Sequence, residues 1–262
     1  MYINNNHLAN QLYIPYTKQL RGVAQAARRL ATGEKIPTVA DGGSEIGVAD
    51  RYQRTVRGNN KLSQGVQAAS HFVAMRGHLL EQASQILQRM SELAASAMDA
   101  TKNTNDRINL NTEYQALAGE FAQVRKRDYN ELSIFDNLLE IRFDMDEASA
   151  TISLISVNFN TTFTAVLLNA SANKALTSVS TKMNSINRHK AQAGFDSNAL
   201  KRAFDVSTSY QNELGNAENL IRGIDIAKAA GDFTKKQVIL NAGQSILAQA
   251  NGLIQNALQF IK

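Results

Sequence analysis

Cysteine and tryptophan are absent from the 262 residues, and there are only two prolines, Pro15 and Pro37. Without cysteine the chain has no disulfide framework, no thiolate nucleophile and no cysteine-based metal site. Aromatic residues make up only 6%, against 44% hydrophobic residues, so the apolar content is mostly Ala, Leu, Ile and Val. Such side chains suit close helix–helix packing better than one wide globular core. With two prolines, long helices meet few interruptions. The opening segment, MYINNNHLANQLYIPYT, has no basic stretch and no continuous apolar run. It therefore does not read as a cleavable secretory signal.

Catalytic patterns are missing too. The histidines are His7, His71, His78 and His189, and no His-Glu-x-x-His occurs. Gly42, Gly43 and Gly47 are not followed by Gly-Lys-Ser/Thr, and no Gly-x-Ser-x-Gly is present. The expectation is a protein that is not an enzyme and has no cofactor. The net charge is +5, but its cations lie in short runs, Arg28–Arg29 and Arg125–Lys126–Arg127, inside helical patterns. A nucleic-acid binder would cluster its cations on one face. A basic helical nucleic-acid-binding protein is the alternative from a different class, and it requires a salt-sensitive complex with DNA.

What the chain does have is helical periodicity. Leu20, Val23, Ala27 and Leu30 step by three and four residues. A turn-rich connector with Gly33, Pro37, Gly42, Gly43 and Gly47 follows. Leu62, Val66, Ala69 and Val73 then lead, across a gap at Arg76, to Leu80, Ala83, Leu87, Met90, Ala94 and Ala97. A helix over residues 60–100 would measure about 60 Å and needs a companion along its length. Leu110, Tyr114, Leu117, Phe121 and Val124 supply one, with the turn at Thr101–Asp106.

The period changes to two at Ile141, Phe143 and Met145, again at Ile152 and Leu154, and at Phe163, Ala165 and Leu167. These read as two or three short strands. Helical spacing returns from about Leu176, through Val179, Met183 and Ile186, and later Tyr210, Leu214, Ala217 and Ile221.

The last segment differs in chemistry. Ile239, Ala242, Ile246, Ala250, Leu253, Ala257 and Ile261 form one stripe, widened by Leu247, Ile254 and Leu258, and residues 237–261 carry no charge. A membrane span has about this length. However, amides from Gln237 to Gln259 are spread along the segment, and each would cost several kcal/mol in hydrocarbon. No membrane insertion is expected. Residues 1–17 are likewise uncharged apart from His7. Both ends are suited to burial against other copies, where no like charge opposes contact.

Three stretches together resemble bacterial flagellins. LATGEKIPTVADGGSEIGVADRYQRTVRG, residues 30–58, resembles the family's N-terminal signature. LQRMSEL (87–93) resembles the run on its long helix, and VILNAGQSILAQANGLIQNAL (238–258) resembles its C-terminal helix. The resemblance implies a mainly α fold: an elongated antiparallel helical coiled-coil bundle with a small β-hairpin element and paired N- and C-terminal helices. Residues 1–40 with 219–262 would form the inner filament core. Residues 41–218, with the β element at about 140–170, would form the outer rod. Subunit packing would fall on Leu20, Val23, Ala27, Leu30, Ile239, Ala242, Ile246, Leu247, Ala250, Leu253, Ile254 and Leu258. Gln88, Arg89, Leu93 and Glu113 would form a face for the Toll-like flagellin receptor, unless Arg89 and Glu113 bridge to neighbouring subunits.

Implied partners are other copies of the chain, an export chaperone, and the filament cap and hook-junction proteins. The implied location is the extracellular flagellum, reached through the flagellar type III system. A hook–filament junction protein shares the N-terminal pattern and is the near alternative. Pro15 departs from the family, and a kink or late helix start is expected at Tyr13–Tyr16.

Overall fold

The computed structural model describes residues 7–259 except Val39, Asp41, Ala148, Phe159 and 166–168, and without the side chains of 7–10, 169–170, 251 and 253–259. The order is α1 (His7–Thr32), α2 (Gly43–Ala97), α3 (Thr104–Arg125), β1 (Asp128–Tyr129), β2 (Leu132–Ser133), β3 (Leu139–Arg142), β4 (Thr151–Leu154), α4 (Asn169–Arg222) and α5 (Ile226–Gln259). Two antiparallel strand pairs, β1–β2 and β3–β4, are separate sheets. The chain divides into two compact units, residues 1–54 with 213–262, and residues 55–212.

In the first unit α1 and α5 lie antiparallel. Gln19 Nε2 donates to the Lys236 carbonyl at 3.2 Å, and Gln244 Nε2 to the Tyr16 hydroxyl at 3.0 Å. As residue numbers fall along α1 they rise along α5. The connector begins at Gly33, whose φ of 69° closes α1 by placing its N–H on the Arg29 carbonyl at 2.9 Å. Only glycine takes that φ without strain. Arg222 then ties three segments together, pairing with Glu34 at 3.8 Å, with Glu218 at 3.9 Å and with Asp50.

Pro15 does not break α1, which runs through it from His7. Its fixed φ suits a helix and its side chain is exposed, and without an N–H it leaves the Gln11 carbonyl without its helical donor. The connector is also shorter than expected, because Gly43 and Gly47 already belong to α2.

In the second unit α2 and α4 are antiparallel. Ser63 meets Ser207 at 3.0 Å, Ser84 Oγ donates to Met183 Sδ at 3.5 Å, and Glu81 pairs with Lys190. The third layer is shared. α3 starts in a capping box, in which Asn103 accepts from the Asp106 N–H at 2.9 Å and Asp106 accepts from the Asn103 N–H at 3.2 Å. It packs back along α2, and Tyr114, Phe121 and Val124 are buried in the core with Leu80, Leu87 and Met90. Where α3 stops at Arg125, the strands take its place. Tyr129 meets Phe72 edge-on at 5.9 Å, and the Met145 N–H donates to Asn59 Oδ1 at 2.8 Å. Met145 fits there because position 58 is glycine. A Cβ on Gly58 would come within 1.8 Å of the Met145 sulfur.

Phe163 and Ala165 are not in a strand, and Leu167 lies outside the described residues. Instead the Phe163 ring stands edge-on to Tyr114 at 6.2 Å and to Phe121 at 5.3 Å. Burial in an aromatic cluster has overridden the alternating pattern. The returning helix begins at Asn169, earlier than Leu176.

Candidate assembly surface

The α1–α5 pair is closed by small and medium side chains. Leu240 is 6% exposed, Ala250 4% and Ala26 7%, and Leu247 and Gly243 are half-buried beside them. These steps of three, four and three residues are the face of α5 turned toward α1.

A second apolar stripe on α5 remains uncovered. Ile239 is 47% exposed and Ile246, two turns on, is 51% exposed; Ala242 between them is exposed as well. On α1, Leu20 is 47% exposed and Tyr13, two turns earlier, 61%. Val23, Ala27 and Leu30 are half-buried. Ile239 and Ile246 flank a shallow groove with Leu12, Pro15 and Tyr16 of α1 on its other side. The sequence stripe thus resolves into two faces. Leu247 and Ala250 turn toward α1, while Leu20, Ile239, Ala242 and Ile246 turn outward. Leu253, Ile254 and Leu258 lie among residues whose side chains are outside the described set. Periodicity alone did not single out Leu240 or Gly243 as the contact face, although both stand three or four residues from Leu247.

Gln88, Arg89 and Glu113 are exposed, whereas Leu93 is 3% exposed and belongs to the core. Arg89 and Glu113 pair with each other within the chain at 2.8 Å, and Glu92 joins at 3.1 Å. The hydrogen bonds that Arg89 donates to Glu113 and Glu92 raise its pKa above its ordinary value.

A larger concavity sits where α4 gives way to α5. Arg29, Lys35, Lys228 and Lys236 line it together with Asp225 and Asp232. Among the described residues no three His, Asp or Glu side chains form a metal-holding group, and no helix is long and apolar enough to cross a membrane.

The fold and this surface define a class, an α-helical structural subunit whose paired terminal helices keep an apolar stripe free. Comparison with known proteins gives the class its family. The profile of the bacterial flagellin N-terminal helical region matches residues 3–139, and that of the C-terminal helical region residues 176–261. The chain belongs to the bacterial flagellin family, structural subunits of the flagellar filament.

The flagellin of Halalkalibacterium halodurans is 24% identical over 100% of both chains. Flagellin FlaB1 of Treponema pallidum is 26% identical over 92% of each. Among solved structures, Bacillus cereus flagellin superposes with a TM-score of 0.51 at 26% identity, covering 55% of this chain and 88% of that one. A putative flagellar hook-associated protein from Vibrio parahaemolyticus gives 0.60 at 9% identity, over 70% and 99%, a likeness of fold alone.

Proposed function

We propose that the chain polymerises through its terminal helices, with Leu20 of α1 and Ile239, Ala242 and Ile246 of α5 meeting the same helices of other copies. The observation that carries this is the outward apolar stripe on an α5 segment without charge. A lone soluble protein gains nothing from such a face, whereas identical helices can bury it without repulsion. Leu253, Ile254 and Leu258 extend the stripe by sequence. In this reading residues 1–40 with 219–262 form the filament core and residues 41–218 its outer layer. The subunit leaves the cell by the flagellar type III route and ends in the extracellular filament. An export chaperone that covers the apolar stripe, and the cap and hook-junction proteins, are its other partners. The exposed Gln88, Arg89 and Glu113 are the part of the long-helix face open to the Toll-like flagellin receptor.

The test is seeded growth of the purified chain, imaged by electron microscopy. Wild type elongates seeds, and Ile246→Asp, which places a charge on the outward stripe, stays monomeric with its helical circular dichroism intact. Filaments from Ile246→Asp at the wild-type rate would remove the reading. Stoichiometry in isolated flagella separates a filament subunit from a junction protein, with thousands of copies expected against a few.

A further inference from the structure

In a long helix that buries a regular apolar seam, Arg76 interrupts the pattern, and the structure shows it filling the seam rather than leaving it. Its side chain is 1% exposed, one of the largest fully buried side chains in the chain. The guanidinium donates from Nε to the Ile134 carbonyl at 3.0 Å and from Nη1 to the Ile155 carbonyl at 2.9 Å. It lies 5.1 Å from the centroid of the Phe72 ring. Asp196 on α4, 5% exposed, supplies an opposite charge that offsets the desolvation of the guanidinium.

The position along α2 explains the residue. α3 ends at Arg125 and β1 starts at Asp128, so near Arg76 one third layer hands over to another. Ile134 and Ile155 lie outside the strand ladders, just beyond β2 and β4. Ile134 is 1% exposed, so its carbonyl needs a donor inside the fold, because an unpaired buried carbonyl is unfavourable. Ile155 is 53% exposed, and its carbonyl takes the second donor at the edge of the core. No apolar seam residue can supply one. A planar guanidinium offers several donors in fixed directions and reaches two carbonyls at once.

We infer that Arg76 is a positioning residue, a buried joint that seats the β element (residues 127–158) on α2 separately from the pairing of α2 with α4. The contacts divide accordingly. Helix pairing rests on the apolar residues that α2 and α4 bury together and on Ser63–Ser207 and Glu81–Lys190, polar contacts made without Arg76, whose link to α4 is the charge of Asp196. The β element is seated by Arg76, by Met145 at Gly58 and Asn59, by the edge-on Tyr129–Phe72 pair, and by Ile134, Phe135, Leu154 and Val157, which are buried in the same apolar core as the helices. Within the element the Val157 N–H donates to the Phe135 carbonyl at 2.6 Å. Loss of the joint releases this element as a local unfolding unit while the helices stay paired.

The single substitution Arg76→Met is a poor probe, because it strands the Asp196 carboxylate in the core. The charge-neutral pair Arg76→Met with Asp196→Asn removes both charges together. Amide hydrogen exchange of the full chain is the measurement. In the double variant the Ile134 and Val157 amides are expected to exchange at least ~30-fold faster, while amides of residues 80–94 and 172–186 stay within about threefold of wild type, as for opening of one cooperative unit. Arg76→Lys, which keeps a donor but loses the fork, should fall between. Wild-type protection at Ile134 and Val157 in the double variant would overturn the inference. So would an equal loss across helices and strands, which would make Arg76 a general core residue. An Arg76→Lys variant no better protected than the double variant would also count against the joint.

Discussion

Buried Tyr114 and half-buried His189 in the second unit carry consequences that a titration can read. The Tyr114 hydroxyl is buried with no hydrogen-bond partner among the described groups, and burial pushes its pKa up to about 12. Tyr114→Phe removes a desolvated hydroxyl and keeps the ring against Phe163. Stability should be unchanged or rise by up to about 1 kcal/mol, measured by urea unfolding. The phenolate absorbance step near pH 12 should disappear with it. A loss of more than about 2 kcal/mol would mean that the hydroxyl is partnered in solution.

His189 acts at lower pH. Burial pushes its pKa below the ordinary 6.5, Arg188 and Arg76 push the same way, and a hydrogen bond to the Asn158 backbone opposes them. The unfolded chain therefore takes up this proton before the folded one does. Stability is whole above pH 6.5 and falls as pH drops below it, until the folded group also titrates. His189→Gln should flatten the dependence of the urea midpoint between pH 7 and 5. An unchanged slope would assign that dependence to other groups.

At the scale of elements, the two faces of α5 make opposite predictions. Leu240→Ala opens a cavity against α1 and should cost about 2–4 kcal/mol in unfolding of the monomer. Ile246→Ala trims a side chain that is half in water, so the monomer should change by less than about 1 kcal/mol while filament growth slows. If both variants shift the monomer equally, Ile246 is not outward-facing. The sequence could not make this division. Its stripe spans nearly half of the helix circumference, and periodicity gives the apolar arc without saying which edge meets α1. The long helices and the α2–α3 hairpin were legible, since their seams are narrow and repeat for many turns. The β1–β2 hairpin was not. Its turn places Asn130 and Glu131 at φ of 51° and 64° without a glycine, so the usual Asn-Gly signal is missing. Arg76 was visible only as a gap in a seam. That the buried Ile134 carbonyl needed a donor at that point depends on where α3 stops.

For the whole molecule, assembly must overcome the repulsion of subunits that each carry +5. The proposed contact face is uncharged, so the opposing charge lies around it and can be screened. Seeded elongation should accelerate as ionic strength rises from 0.01 to 0.15 M and the screening length shortens from about 30 to about 8 Å. Elongation that slows with salt would point to ion pairs as the main contact between copies. The shared lack of charge at both ends pointed to burial against other copies, and the pairing of the two terminal helices was implied by the resemblance to flagellins. The division of the chain at residues 54 and 213 was not legible, since α2 and α4 continue through it without a break in periodicity.

One small contact limits how such long helices can err. A seam of alanines, leucines and valines repeats almost every turn, and α4 could in principle slide along α2 by a full turn with its apolar residues still covered. Ser63 and Ser207 exclude this, with Gln211 donating to both at 2.9 and 3.1 Å. After a one-turn slip Ser63 would face the alkyl side of Ala203 or displace Gln211, leaving hydroxyls dry and unanswered at about 1–3 kcal/mol each. The trio works as a vernier mark, so a newly made chain that zips up out of alignment has a standing reason to let go and try again.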